Sequence, residues 1–215
     1  YDSEQDDTLA ALAAYGPCPF ELVKVKNRGH GPLAAILSGF AAASASAVLV
    51  LPADDDYNAS RVDAMVELMQ AGADVVCANR FAREARVRDY PWLKALLVRT
   101  SAFLLHRLAR LPSADPTNGF RLFSRRVIET LPVETADGFA YSLELLVKVH
   151  RLGWPIAELP ADWYERKNGK SRFYIARWWR SYWRWFQYAF ATTYLGPFGG
   201  APKPRLRRQA QRATE

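Results

Sequence analysis

Residues 47–81 read AVLVLPADDDYNASRVDAMVELMQAGADVVCANRF. The opening AVLVL is a short, continuous apolar run, the pattern of a buried parallel strand. It stops at Pro52-Ala53 and gives way to three aspartates, Asp54, Asp55 and Asp56. Residues 60–71 have helical spacing and are closed by Gly72, and DVVCA at 74–78 reads as a second strand. Strand, acidic turn, helix and strand in this order predict an α/β chain with a mostly parallel sheet. Ligands of such sheets lie beyond the carboxyl ends of the strands. Asp54 to Asp56 and Asn79-Arg80 fall at that edge.

Alternate side chains of an extended segment share a side, which groups Asp54 with Asp56 and sets Asp55 opposite. Two hard carboxylate ligands with room for water and phosphate oxygens suit Mg²⁺ or Mn²⁺ held with a diphosphate. An acidic cluster that caps the following helix is the alternative reading of the same three residues.

The alternation continues on both sides. Residues 7–14 read as a short helix, and residues 21–25 as a strand leading into Asn27 and the NRGHG turn. Residues 32–44 form a helix with Pro32 in its first turn. Downstream come a long amphipathic helix over 91–111, a helix over 141–152 closed by Gly153, and a strand over 156–159. A loop over 163–172 and an aromatic helix over 173–194 follow. The Pro-containing basic run after it reads as a flexible tail.

The 215 residues suit one large domain, and 50% hydrophobic with 24% charged excludes a wholly disordered chain. Cys18 and Cys77 lie far apart with no C-x-x-C, which excludes a disulfide framework and favours a reducing compartment. His30, His106 and His150 are scattered and suggest neither a metal site nor a triad. The chain opens at Tyr1, not Met, and is expected to lack an N-terminal segment. The net charge of +7 is unevenly placed: residues 166–215 hold twelve Lys/Arg and one acid, and the body before them is slightly acidic. A basic, Trp-rich end points to an anionic partner. No apolar window approaches the ~18 residues needed to span a bilayer.

Three further stretches carry a resemblance: DPTNGFRLFSRR (115–126), GFAYSLELLVKVHRLGW (138–154) and IAELPADWYERKNGKSRF (156–173). With residues 47–81 they present D-x-x-x-GFR, GF-x-x-x-x-E and E-x-P-x-x-x-x-x-R-x-x-G-x-S in order. Together they resemble family 2 glycosyltransferases of the GT-A fold, nearest the branch containing dolichyl-phosphate mannosyltransferase. The resemblance implies a Rossmann-like, nucleotide-diphospho-sugar transferase domain over 1–173, followed by an amphipathic membrane-interface helix over 174–195 and a basic tail over 196–215. It implies an inverting transferase that moves a hexose, expected to be mannose from GDP-mannose, to a polyprenyl or dolichyl phosphate. The enzyme would work peripherally at the cytoplasmic face of a membrane.

The family's acidic motif is D-A-D-x-Q. Here Pro52 stands at its first position, and metal ligation by Mg²⁺ or Mn²⁺ maps onto Asp54 and Asp56. Asp2 resembles the acid that contacts the nucleotide base, and Asn27 joins Asp2 and Asp54 on the donor side. Guanidinium groups suit the phosphates of both substrates, which nominates Arg80, Arg99, Arg121 and Arg166, with Ser171 beside them. Asp54, Asp56, Arg80 and Arg166 are the expected catalytic set. Asp115 is expected to position the acceptor loop, general-base catalysis being the second reading, and Glu144 needs a buried partner such as Arg121.

The segment RFYIARWWRSYWRWFQYAF (172–190) interleaves Trp with Arg as bilayer-interface helices do. An anionic membrane surface is therefore the expected third partner, and no nucleic acid is expected. The rivals are a family 2 transferase with another sugar or a carbohydrate hydroxyl acceptor, and a catalytically silent GT-A module bound to membrane or nucleic acid.

Overall fold

The structure, a computed structural model, describes residues 1–53, 55–88, 92–136, 138–164, 175–196 and 203–206. Its main sheet runs in the order β1 (Ala47–Val50), β4 (Arg121–Ser124), β2 (Val75–Asn79), β5 (Ile156–Pro160). β4 is antiparallel to both neighbours, and β2 is parallel to β5. Three strands therefore share one direction, and the fold is the expected mixed α/β type. The expectation of a buried parallel β1 is corrected. Its described neighbour is antiparallel β4 and it is half-buried throughout, whereas β2, flanked on both sides, is buried at all five positions.

Period-two alternation assigns the two faces. Val75, Cys77 and Phe123 point into a core with α2 (Gly31–Ala42), α5 (Arg125–Thr130) and α6 (Tyr141–Arg151). Val76, Ala78 and Leu122 point the other way, toward Met65 of α3 (Val62–Gln70). α2 carries Pro in its first turn as read, and α6 ends before Gly153, whose φ of 70° suits glycine. The helix read over 91–111 is α4 (Trp92–Phe103) running into a wider turn at Leu104–Leu108.

Two segments differ locally from the sequence reading. Residues 21–25 form no ladder among the described residues: the Tyr1 amino group donates to the Val25 carbonyl, and Asn27 N–H donates to the Tyr1 carbonyl. One such exchange is too little to make a strand. The loop read over 163–172 opens as β6 (Trp163–Tyr164), parallel to β3 (Val87–Arg88).

α6 is buried along nine consecutive residues, including Glu144 and Lys148. These two pair at 2.6 Å, one turn apart, the spacing at which Glu and Lys meet on a helix. Glu144 also accepts from Glu134 N–H, Thr135 N–H and the Thr135 hydroxyl. Lys148, not Arg121, is its partner: a neighbour on its own helix is always within reach, and the Arg121 guanidinium is engaged with carbonyls elsewhere. Thr135 also accepts from the Trp185 indole N–H at 2.9 Å.

That bond docks α7 (Ile175–Leu195). Trp185, 1% exposed, and Ala189 belong to the main core, so this helix packs onto the body. Its aromatic surplus is explained by two jobs, since Trp183 and Tyr194 stay exposed while Trp185 is buried. In the expected tail, Leu206 packs against the same core; the rest of 196–215 is described only at 196 and 203–206. Among the described residues, no helix is long and apolar enough to cross a membrane.

Two outcomes follow from this packing. Trp185→Ala removes a fully buried indole and should cost about 3–5 kcal/mol in a urea titration. Glu134 feels burial, which raises its pKa, yet Lys148 and Arg184 outweigh it and hold the carboxyl below its ordinary 4.5. A folded-state pKa below the unfolded one gives stability that is present above that ordinary value and lost as pH falls through the folded one. Glu134→Gln should therefore flatten the acid limb of the stability curve below about pH 5.

Candidate active site

The carboxyl ends of β1, β2 and β5 meet the amino end of β4 along one sheet edge. Val50 and Cys77 both lie opposite Arg121, and Asn79 lies opposite Pro160. The loops leaving this edge carry most of the residues named from sequence.

After β1 the chain does not stay extended. Asp55 N–H donates to the Pro52 carbonyl at 3.0 Å, and a tight helical turn follows at Asp56–Arg61. The alternation expected through the aspartates ends here because the strand ends here. Asp55 is buried, and its Oδ1 accepts from Asn58 Nδ2 at 2.6 Å. Its inward direction is set by the turn and by Asn58 instead of by strand pleat. Asp54 and the Asp56 side chain lie outside the described residues.

Asn58 is 1% exposed and reaches across the fold. Its Nδ2 donates to the Asp162 carbonyl at 2.9 Å, and its Oδ1 accepts from Asp162 N–H at 2.9 Å. Asp162 in turn accepts from Arg86 N–H, and Tyr57 packs edge-on against Tyr164 with ring centres 4.6 Å apart. The acidic turn and the root of the segment carrying Arg166 and Ser171 are thus joined. Arg166 and Ser171 themselves lie outside the described residues.

Arg80, at the end of β2, is buried. Its Nε and Nη2 grip the two oxygens of Asp115 at 2.6 and 2.8 Å, and its backbone N–H donates to the same carboxylate. The guanidinium also stands 5.0 Å from the centre of the Trp163 ring. In this conformation the Nε and Nη2 edge of the Arg80 guanidinium, expected to meet a phosphate, is taken by a bidentate carboxylate. Asp115, fully buried, holds its loop as expected, and with its oxygens engaged it is poorly placed to take up a substrate proton.

Arg121 is corrected likewise. It is fully buried and donates to the carbonyls of Ser142 and Pro116, the latter at 2.7 Å. It braces the loop from beneath and meets no surface where an acceptor phosphate could sit. Cys77 is buried beside it, and burial pushes its thiol up, which argues against a nucleophile. Arg99 is exposed on α4 and stands over the Phe81 ring at 5.6 Å, at the rim of the site.

On the donor side the two expected residues meet: Asn27 Nδ2 donates to Asp2 Oδ1 at 2.8 Å. Asn27 Oδ1 accepts from Gly29 N–H and from the Ser38 hydroxyl, and its Nδ2 also donates to the Gly31 carbonyl, so the carboxamide is oriented by four groups. Asp2 is exposed, with its carboxylate open to a ligand's hydrogen-bond donors.

Sheet order, an acidic turn after β1 and the E-L-P strand end at Glu158 to Pro160 bring the ordered motifs to one edge. The family model described as Glycosyl transferase family 2 matches residues 2–131. This chain belongs to glycosyltransferase family 2. It is 25% identical over 129 residues to polyprenol monophosphomannose synthase of Mycolicibacterium smegmatis, covering 59% of this chain and 49% of that protein. It is 29% identical over 171 residues to an uncharacterised glycosyltransferase of Mycobacterium tuberculosis, covering 80% and 74%. Glucosyl-3-phosphoglycerate synthase of M. tuberculosis, solved with uridine diphosphate, superposes with a TM-score of 0.56 at 20% identity, over 89% of this chain and 65% of that one. That likeness shows the GT-A fold. The chain spans about half the length of the first of these relatives.

Within the family site, Asn58, Asp162 and Glu158 were not singled out from sequence. Glu158 accepts from Asn79 Nδ2 at 3.0 Å and from Ala114 N–H at 2.9 Å, tying β5 to β2 and to the Asp115 loop. Its place in the E-x-P motif was a usable signal. Asn58 and Asp162, 104 residues apart, carried none that a linear reading exposes.

Asp115→Asn should leave Arg80 buried without its counter-charge and cost about 3–5 kcal/mol in chemical denaturation. Arg80→Lys keeps the charge but loses the fork, and should cost a smaller part of that stability. Wild-type stability in both variants would return Arg80 to the role of a phosphate ligand.

Proposed function

We propose that this chain is the catalytic body of an inverting glycosyltransferase that moves a hexose, mannose in the first instance, from a nucleotide-sugar to a polyprenyl phosphate. The relative named polyprenol monophosphomannose synthase and the four ordered motifs support this reading. The observation that carries it is the state of Asp115. A hydroxyl acceptor needs a base to take its proton, and Asp115 is buried with both oxygens on Arg80. An acceptor phosphate is already anionic near pH 7 and needs none. Its oxygen would attack the anomeric carbon from the face opposite the leaving nucleoside diphosphate, with inversion.

The chain's own residues divide the work. Asp2, oriented with Asn27, would accept hydrogen bonds from the nucleotide base. Arg166 and Ser171 would hold the acceptor phosphate on the segment rooted at Asp162. Arg99, at the rim beside Phe81, would draw that phosphate in. Asp54 and Asp56 would hold a divalent cation, and the donor set fits one. Asp55 is occupied by Asn58, and its sequence neighbours Asp54 and Asp56 are two hard oxygen ligands of the kind such a cation takes. Bound there, Mg²⁺ or Mn²⁺ supplies charge neutralisation for the departing diphosphate. Structures of the M. tuberculosis synthase hold Mn²⁺ or Mg²⁺ together with uridine diphosphate.

The test is to incubate full-length protein with radiolabelled GDP-mannose or UDP-glucose, and with polyprenyl phosphate or phosphoglyceric acid, with and without Mn²⁺. Label should pass from GDP-mannose to the lipid phosphate in the presence of Mn²⁺. Arg166→Ala should slow turnover roughly 100-fold with the fold intact, and Asp54→Asn or Asp56→Asn should weaken Mn²⁺-dependent donor binding more than Asp55→Asn. Transfer from UDP-glucose to phosphoglyceric acid would replace this reading with that of the structural neighbour.

A further inference from the structure

α2 carries a single polar side chain. Its sequence, GPLAAILSGFAA, is otherwise glycine, proline and apolar residues, and Leu33 and Phe40 bury it against the core. Ser38 is buried as well, at 6% exposure. A serine inside a helix ordinarily turns its hydroxyl to solvent or to the carbonyl one turn back. The Ser38 hydroxyl instead faces the NRGHG turn, accepting from Arg28 N–H at 3.2 Å and donating to Asn27 Oδ1 at 3.2 Å. The turn lies close on the helix here, since a Cβ on Gly29 would come within 3.1 Å of the Ala34 Cβ.

The direction of these bonds is forced. A hydroxyl has one proton, and a backbone N–H can only donate, so the Ser38 proton is left for Asn27. Asn27 Oδ1 thereby receives two donors, Ser38 O–H and Gly29 N–H. Its Nδ2 end then faces Asp2 Oδ1 at 2.8 Å and the Gly31 carbonyl. A reversed carboxamide would set oxygen against the Asp2 carboxylate and the Gly31 carbonyl, and nitrogen against Gly29 N–H. Asp2 needs such an anchor. It is exposed, and the adjoining helix α1 (Asp7–Tyr15) buries no residue against the body.

We infer that Ser38 is a positioning residue for the donor: by fixing the polarity of Asn27, it fixes where Asp2 presents its carboxylate to the nucleotide base. It acts through Asn27 and touches no substrate itself. Its hydroxyl connects a helix set in the core to a carboxylate on a segment without a core of its own. The inference rests on the reading of Asp2 as the contact for the base, and names the residue through which the fold controls that contact.

Titration calorimetry of full-length protein with GDP, with UDP and with inorganic pyrophosphate, each beside Mn²⁺, tests it. Ser38→Ala keeps the helix, alanine being the best helix former. It should weaken binding of whichever nucleoside diphosphate the protein takes roughly 5-fold. Pyrophosphate, which has no base, should bind the variant as it binds wild type. Ser38→Thr retains a hydroxyl and should restore most of the loss. In an Asp2→Asn background the carboxylate is already gone, and Ser38→Ala should cost nothing further. Wild-type nucleotide binding by Ser38→Ala, with binding by Asp2→Asn weakened, overturns this inference alone. So does an equal loss for pyrophosphate, or full additivity with Asp2→Asn, because either marks a general loosening of the fold. If Asp2→Asn binds both nucleotides as wild type does, or wild type prefers neither to pyrophosphate, the base-contact reading falls and takes this inference with it.

Discussion

A guanidinium buried where no water can reach it must find acceptors in the protein, and both Nη groups of Arg121 find them in the backbone. It is the first residue of the strand between β1 and β2, and it takes the carbonyls of Pro116 and Ser142. Those two contacts bring the loop before β4 and the start of α6 to the same point. Asn118 adds its own ties, donating to the Ala78 carbonyl and offering its backbone carbonyl to the Ser142 hydroxyl. With the loop fixed from beneath, Asp115 is held where it can grip Arg80. Loss of the guanidinium would strand several buried carbonyls at once, a heavier penalty than any one contact suggests.

The second buried polar centre organises the opposite side of the same helix. Glu144 and Lys148 face a layer in which nearly everything else is apolar, and each is fully hydrogen-bonded there. Trp185 closes over the pair, with its ring centre 5.0 Å from Lys148 Nζ. Isolated charges in that position would be intolerable; as a satisfied network they fix the one way α7 can lie on α6.

How much of this could be read in advance follows from the range of each interaction. Local patterns were legible: the apolar run of β1, the stop at Gly153 and the buried helix of α6 are written in neighbouring residues. The site edge was legible because topology places strand ends together whatever their sequence. Asp2 and Asn27 were both named for the donor side, and the structure places them in contact. What sequence could not give was which charges neutralise one another. Arg80 and Arg121 looked like phosphate ligands, since an arginine in a loop carries no mark of the carboxylate or carbonyl it will meet. Trp185 could not be told from Trp183 for a similar reason. Four tryptophans within residues 178–185 look alike in sequence, and the partner that marks the buried one, the Thr135 hydroxyl, lies 50 residues away.

The carboxamide of Asn58 joins two stretches of chain that serve different substrates in the proposed reaction. Because it holds Asp55 with the same nitrogen that holds the Asp162 carbonyl, the two stretches cannot loosen independently. Thermodynamic linkage then makes their order a shared quantity: whatever stiffens the acidic turn stiffens the root of the 165–174 segment, and the effect is equal in the other direction. An enzyme wired in this way would sense occupancy of one half of its cleft from the other, through a single amide.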